Sequence, residues 1–102
     1  MPETHNLVGS LWKAPTETFG VGVNFSTWLT AGDTVDSGDV KCYEGTTDVT
    51  STFIGTVTDD DDDEVSFQLK AAGAKGAQYL IVVTATTVQA DVWVARIKLY
   101  IV

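Results

Sequence analysis

Six consecutive carboxylates, Asp59 to Glu64, are the most conspicuous chemical group in this chain of 102 residues. Clustered carboxylates offer hard oxygen ligands, and Ca²⁺ takes about six to eight of them. Neighbouring side chains in an extended loop point in different directions, however. The run also lacks a glycine for a sharp turn and the D-x-D-x-D-G spacing of a calcium loop. It reads first as a solvated hairpin tip, whose charge keeps one end of a sheet from adhering to other sheets. A docking contact with a basic partner, through Asp60, Asp61 and Asp62, ranks second, and a weak divalent site ranks third.

The remaining reactive residues are few. His5 is the sole histidine and Cys42 the sole cysteine. A serine or cysteine nucleophile would need that one imidazole as its base. Cys42 reads as a small core residue of a strand, and a single cysteine allows no internal disulfide. No Cys/His spacing suits zinc, and nothing places two carboxylates in an apolar cleft for glycoside chemistry. The glycines of Gly20-Val21-Gly22-Val23-Asn24 superficially suggest a phosphate loop, but no helix follows them. They read as positions where another backbone or a large side chain comes close. No catalytic residue, cofactor or metal is expected, and no enzyme. Of the aromatic residues, Trp28 and Trp93 read as core, while Trp12 and Tyr100 are the better interface candidates.

Composition bounds the class. Acids outnumber bases 14 to 6, giving a net charge of −8. Without the Asp59–Glu64 run, 8 acids face 6 bases, so the acidity belongs to one place. A net anion is repelled by phosphate backbones and anionic lipid, so neither nucleic acid nor membrane is an expected partner. An apolar content of 44% is too high for a disordered chain, and the length suits one domain. The first residues carry no basic region followed by an apolar stretch. The chain therefore reads as made and kept in the cytosol, or exported only as part of something larger.

The elements that must position these residues are strands. Thr and Val, both branched at the β-carbon, dominate, and no apolar period of 3.6 persists for a dozen residues. Alternation at period 2 predicts strands near 19–28, 34–43, 49–58, 65–70, 78–87 and 91–102. The last sorts cleanly, with Trp93, Ala95, Ile97, Leu99 and Ile101 on one face and Arg96, Lys98 and Tyr100 on the other. Val88-Gln89-Ala90 joins the last two strands as an antiparallel hairpin. Six to seven short strands at spacings near ten residues predict an all-β, immunoglobulin-like antiparallel sandwich, with a small barrel as the alternative. Residues 1–18 do not join the pattern. They read as an extended N-terminal arm ahead of a domain at 19–102, offering Leu7, Leu11 and Trp12 to a neighbouring chain, with a poorly ordered terminus as the alternative.

Phe25-Ser26-Thr27-Trp28-Leu29-Thr30-Ala31-Gly32-Asp33-Thr34 resembles the F-x-x-W-L-x-x-G-D-T segment of the fibre-to-tail adaptor family of tailed phages. Gly76-Ala77-Gln78-Tyr79, running into a Thr-rich strand, is similar to that family's G-x-x-Y segment. The closing Arg96-Ile97-Lys98-Leu99-Tyr100-Ile101-Val102 resembles its last strand of alternating apolar and basic residues. The resemblance spans roughly residues 13–102 and implies an immunoglobulin-like virion protein. Val88-Gln89-Ala90-Asp91 departs from the Gly-containing turn usual in the family.

Together these readings predict a non-enzymatic phage structural protein that joins fibres to the tail or neck. Its expected partners are other phage structural proteins (tail, connector, fibre or capsid) and further copies of itself. It would be made in the host cytoplasm and reside in the virion. Leu7, Leu11, Trp12, Tyr100, Asp60, Asp61 and Asp62 are the expected contact residues. A capsid decoration (cement) protein is the alternative, followed by a carbohydrate- or receptor-binding module.

Overall fold

The computed structural model describes residues 6–59 and 63–102, with side chains from Gly9 onward. The chain runs through β1 (Asn6–Lys13), β2 (Phe19–Asn24), β3 (Val35–Glu44), β4 (Thr47–Asp48), α1 (Thr50–Phe53), β5 (Ile54–Thr58), β6 (Glu64–Leu69), β7 (Gln78–Thr87) and β8 (Val92–Ile101). Two sheets form, a five-stranded one in the order β1-β8-β7-β3-β4 and a three-stranded one in the order β2-β6-β5. Of the immunoglobulin-like expectation, the two-sheet sandwich of short strands is present.

The core lies between the sheets and follows from the alternation. Trp93, Ala95, Ile97, Leu99 and Ile101 of β8 and Tyr79, Ile81, Val83 and Ala85 of β7 are buried. They meet Val23 of β2, Ile54 of β5 and Val65, Phe67 and Leu69 of β6. Complete burial of an aliphatic side chain is worth about 1.5–3 kcal/mol, so this apolar layer dominates the folding energy.

Two expected strands differ from their bounds, each for a local reason. β2 stops at Asn24 because the Asn24 Oδ1 accepts the Ser26 N–H at 2.8 Å. The Trp28 and Leu29 N–H groups then return to the Phe25 carbonyl, closing a helical turn within the expected strand 19–28. The first half of the expected strand 49–58 coils into α1. There the Asp48 carboxylate accepts the Thr50 N–H at 2.9 Å and its hydroxyl at 2.6 Å, so side-chain bonding outcompetes the ladder.

The largest difference concerns the expected arm at residues 1–18. Asn6–Lys13 is a strand of the five-stranded sheet, paired in parallel with β8 from Asn6↔Val94 to Lys13↔Ile101. Its apolar residues do not alternate cleanly, because the inward position at its end is a lysine and the outward one a tryptophan. Lys13 is fully buried, and its Nζ donates to the Ala14 carbonyl at 2.9 Å and the Ala72 carbonyl at 3.1 Å. Burial pushes its pKa below the usual lysine value, and the Glu17 carboxylate opposes that.

The F-x-x-W-L-x-x-G-D-T segment is a structural clasp. Phe25 is buried, and Trp28 and Leu29 pack against the core. The Asp33 Oδ1 accepts the Thr34 N–H at 2.9 Å and the Gln89 N–H at 3.1 Å, tying the β2–β3 loop to the β7–β8 turn. In that turn Ala90 takes φ 68°, in the left-handed region that favours glycine.

Candidate protein-interaction surface

Parallel pairing of β1 with β8 places Trp12 opposite Tyr100. Both project from the outer face of the five-stranded sheet, because Lys13, Leu99 and Ile101 take the adjacent inward positions. The two rings stack with centroids 5.6 Å apart and an interplanar angle of 18°. Trp12 remains 62% exposed, so the pair forms an aromatic ledge in solvent.

The neighbouring rows of this face carry mixed charge around an aliphatic centre, with the cations Lys41, Arg96 and Lys98 beside the carboxylates Asp39 and Asp48. Register aligns Ser10, Lys98, Leu80 and Tyr43 across four strands, and Arg96, Val82 and Lys41 in the next row. Three of the chain's six basic residues therefore stand together on one sheet face. Tyr43, Gly45, Gln78, Tyr79, Leu80 and Lys98 line a shallow depression of about 260 Å³ beside the aromatic ledge. At its rim, the Asp48 carboxyl is held below the usual carboxylate range by the Thr50 hydroxyl and N–H, and also by Lys41.

Asp59 and Asp63, which flank the centre of the acidic run, are tied down at the opposite end of the sandwich. Asp59 Oδ2 accepts the Gly38 N–H at 2.8 Å, and the Asp63 carbonyl accepts the Phe25 N–H at 2.7 Å. Gly38 lies level with Ala85, and Ala85 with Trp93, at the start of β8. The aromatic ledge is at the end of that strand. Asp60, Asp61 and Asp62 lie outside the described residues.

Of the expected contact residues, then, the fold brings Trp12 and Tyr100 together. Leu11 turns inward and is half-buried against the core. Leu7 stands on β1 opposite Ala95. Lys41, Tyr43, Leu80, Arg96 and Lys98 were not among the expected contact residues. The outward set Arg96, Lys98 and Tyr100 was legible in the alternation of the last strand, but only strand order could join it to Trp12 and Tyr43.

Other candidate chemistry resolves into packing. Cys42 is buried, and burial together with the Asp48 charge pushes its thiol up to about 11. His5 lies outside the described residues. Among the described residues no three of His, Cys, Asp and Glu cluster so as to hold a metal ion. None of their helices is long and apolar enough to cross a membrane. The close approach at Gly20 and Gly22 comes from cross-strand side chains of the chain itself. A Cβ at Gly22 would lie 2.9 Å from the Glu64 carboxylate, and one at Gly20 would lie 3.7 Å from Gln68. A wider hollow of about 520 Å³ on the outer face of the smaller sheet is lined mainly by small and polar residues, including Gly20, Gly55, Ser66 and Gln68.

A small β-sandwich whose exposed chemistry is an aromatic and mixed-charge sheet face has the build of a protein-interaction module. A family model described as podophage GP4 fiber-tail adaptor protein gp77 matches residues 13–100. The chain belongs to that family, one of phage fibre–tail adaptors with a structural role in the virion. No curated protein matches the chain.

Proposed function

We propose that this protein is a non-enzymatic adaptor that joins fibres to the tail or neck of the particle through protein–protein contacts, acting as one member of a homo-oligomer. The observation that carries the reading is the family match over residues 13–100. The exposed Trp12–Tyr100 ledge supports it, because exposed aromatic residues and arginine are enriched at protein contacts. The buried, unreactive thiol of Cys42 leaves catalysis without its most obvious nucleophile.

Antibody-gold electron microscopy of intact particles tests the proposal. Label confined to the tail or neck supports the adaptor. Label spread over the head overturns it in favour of a decoration protein, and unlabelled particles would leave a free binding module.

A further inference from the structure

We propose that the free edge of β1 is a strand-addition site whose occupant is β1 of a second copy of this chain. The two strands pair antiparallel about a two-fold axis at Ser10, so that two five-stranded sheets become one continuous sheet. This gives the homo-oligomer of the adaptor reading a contact, and it rests on that reading for its setting in the particle. The backbone defines the edge. The Lys13 carbonyl accepts the Val102 N–H at 2.9 Å, so Lys13 and every second residue before it turn their main-chain groups toward β8. Ser10 and Trp12, at the alternate positions, turn theirs outward. Among the described residues nothing pairs with those outward N–H and C=O groups.

Three observations select β1 of a second copy as the occupant. The first is that this edge carries none of the devices that blunt an exposed strand. Asn6-Leu7-Val8-Gly9-Ser10-Leu11-Trp12 holds no charge and no proline, and the ammonium of Lys13 is turned inward and buried. β1 runs for 8 residues, against 6 for β2 and 5, with a register shift, for β5 at the edges of the smaller sheet. The second is closure of the alternative. At the opposite edge of the larger sheet, Asp59 Oδ2 accepts the Gly38 N–H at 2.8 Å and the Thr50 hydroxyl accepts the Cys42 N–H at 2.9 Å. Continuing that sheet from copy to copy therefore joins β1 to β1, an isologous contact that stops at two. The third is fit. With Ser10 of one copy opposite Ser10 of the other, Gly9 of each strand faces Leu11 of the other on the side turned toward the core. A Cβ at Gly9 would meet nothing within 4 Å, so the space beside that glycine is open to the facing leucine. The same register exchanges a pair of hydrogen bonds between the two Ser10 residues and lays the second strand alongside Trp12, which is 62% exposed.

The test is sedimentation velocity on the isolated full-length chain over a concentration series. Wild type should populate a dimer and nothing larger, with little response to salt because the contact carries no ion pair. Ser10→Lys and Ser10→Asp each set two like charges directly opposite one another across the axis and should weaken the dimer about tenfold or more. Ser10 is exposed and its N–H faces away from β8, so neither change disturbs the fold of one copy. Mixed in equal amounts, the two variants should restore a dimer with one copy of each, which also shows that both fold. Ser10→Cys should be joined copy to copy by a short bismaleimide, whereas wild type, whose Cys42 is buried, should not. A wild type that stays monomeric, a Ser10→Lys dimer as tight as wild type, or a mixture without heterodimer would each overturn the proposal. A monomeric wild type would leave the adaptor reading standing, because gold labelling of particles decides that separately.

Discussion

Replacing Gly38 by alanine probes a close approach between the two sheets. A Cβ there would lie 2.7 and 2.8 Å from the two methyls of Val65 and 3.3 Å from the Asp59 Cβ. Val65 is fully buried in the middle of the smaller sheet, so its methyls have nowhere to go. Overpacking of this kind costs about 1–3 kcal/mol. The backbone of Gly38 is outside the left-handed region, so alanine recovers about 0.4–1 kcal/mol by restricting the unfolded chain. The net expectation is a loss of about 1–2 kcal/mol. In urea, with a slope of about 1 kcal/mol per molar for a chain of this length, the unfolding midpoint should fall by roughly 1–2 M. A double-mutant cycle with Val65→Ala sharpens the test. That substitution alone leaves a cavity, but combined with Gly38→Ala it removes the clash, so the pair should cost less than the sum of its parts by about 1 kcal/mol. A Gly38→Ala protein as stable as wild type, or strict additivity in the cycle, would refute the steric account.

Four further outcomes are expected. Leu11→Ala should cost the isolated chain about 1–2 kcal/mol by chemical denaturation, because Leu11 packs against the core of its own sheet; an arm outside the fold would show no change. Ala90→Gly should raise the thermal midpoint, since it relieves about 1 kcal/mol of left-handed strain and gives back only part of that in unfolded-state entropy. Burial pushes the Asp33 carboxyl up, but the nearby Thr87 hydroxyl and the hydrogen bonds from the Gln89 and Thr34 N–H groups outweigh it and hold it below the usual value. Its stabilisation is therefore complete above the ordinary carboxylate pKa and is lost as pH falls through the depressed one, so the stability gap between wild type and Asp33→Asn should narrow on acidification in pH-dependent urea melts. The Cys42 thiol, raised to about 11 by burial and the Asp48 charge, should resist a disulfide reagent at pH 8 and react only as fast as the chain opens, as followed by thiol-release absorbance with and without denaturant.

How much of this was legible in the sequence depended on the range of the interaction that decides each element. β7 and β8 were readable because each alternates over ten residues and the hairpin between them is local. The coil at Thr50–Phe53 was not. The Thr and Ser residues there suit a strand by type, and only the Asp48 carboxylate turns them into a helix. β1 was missed for a longer-range reason. A parallel partner lies more than eighty residues away in sequence, and the inward lysine finds its carbonyls only once the β6–β7 loop is in place. The site inherited that limit. Tyr100 and Trp12 could be proposed singly as exposed aromatics, but their stacking, and the alignment of Lys98 with Leu80 and Tyr43, exist only when three strand pairings are assembled.

The β3 edge is closed against the addition of a further strand. β4 pairs with only Tyr43 and Glu44 of β3, so most of that edge would otherwise offer a template for another chain. Along it, however, Asp59 Oδ2 takes the Gly38 N–H at 2.8 Å and the Thr50 hydroxyl takes the Cys42 N–H at 2.9 Å. The Val49 N–H also donates to the Cys42 carbonyl at 2.8 Å. A strand added there would have to displace each of these bonds, and an unsatisfied buried group costs about 1–3 kcal/mol. No such cost attaches to the outer face, where Arg96 and Lys98 are exposed and Trp12 is mostly so. Asp59 serves both ends of this logic. Its carboxylate closes the edge against indiscriminate pairing, and the same hydrogen bond anchors the residue from which the acidic run departs.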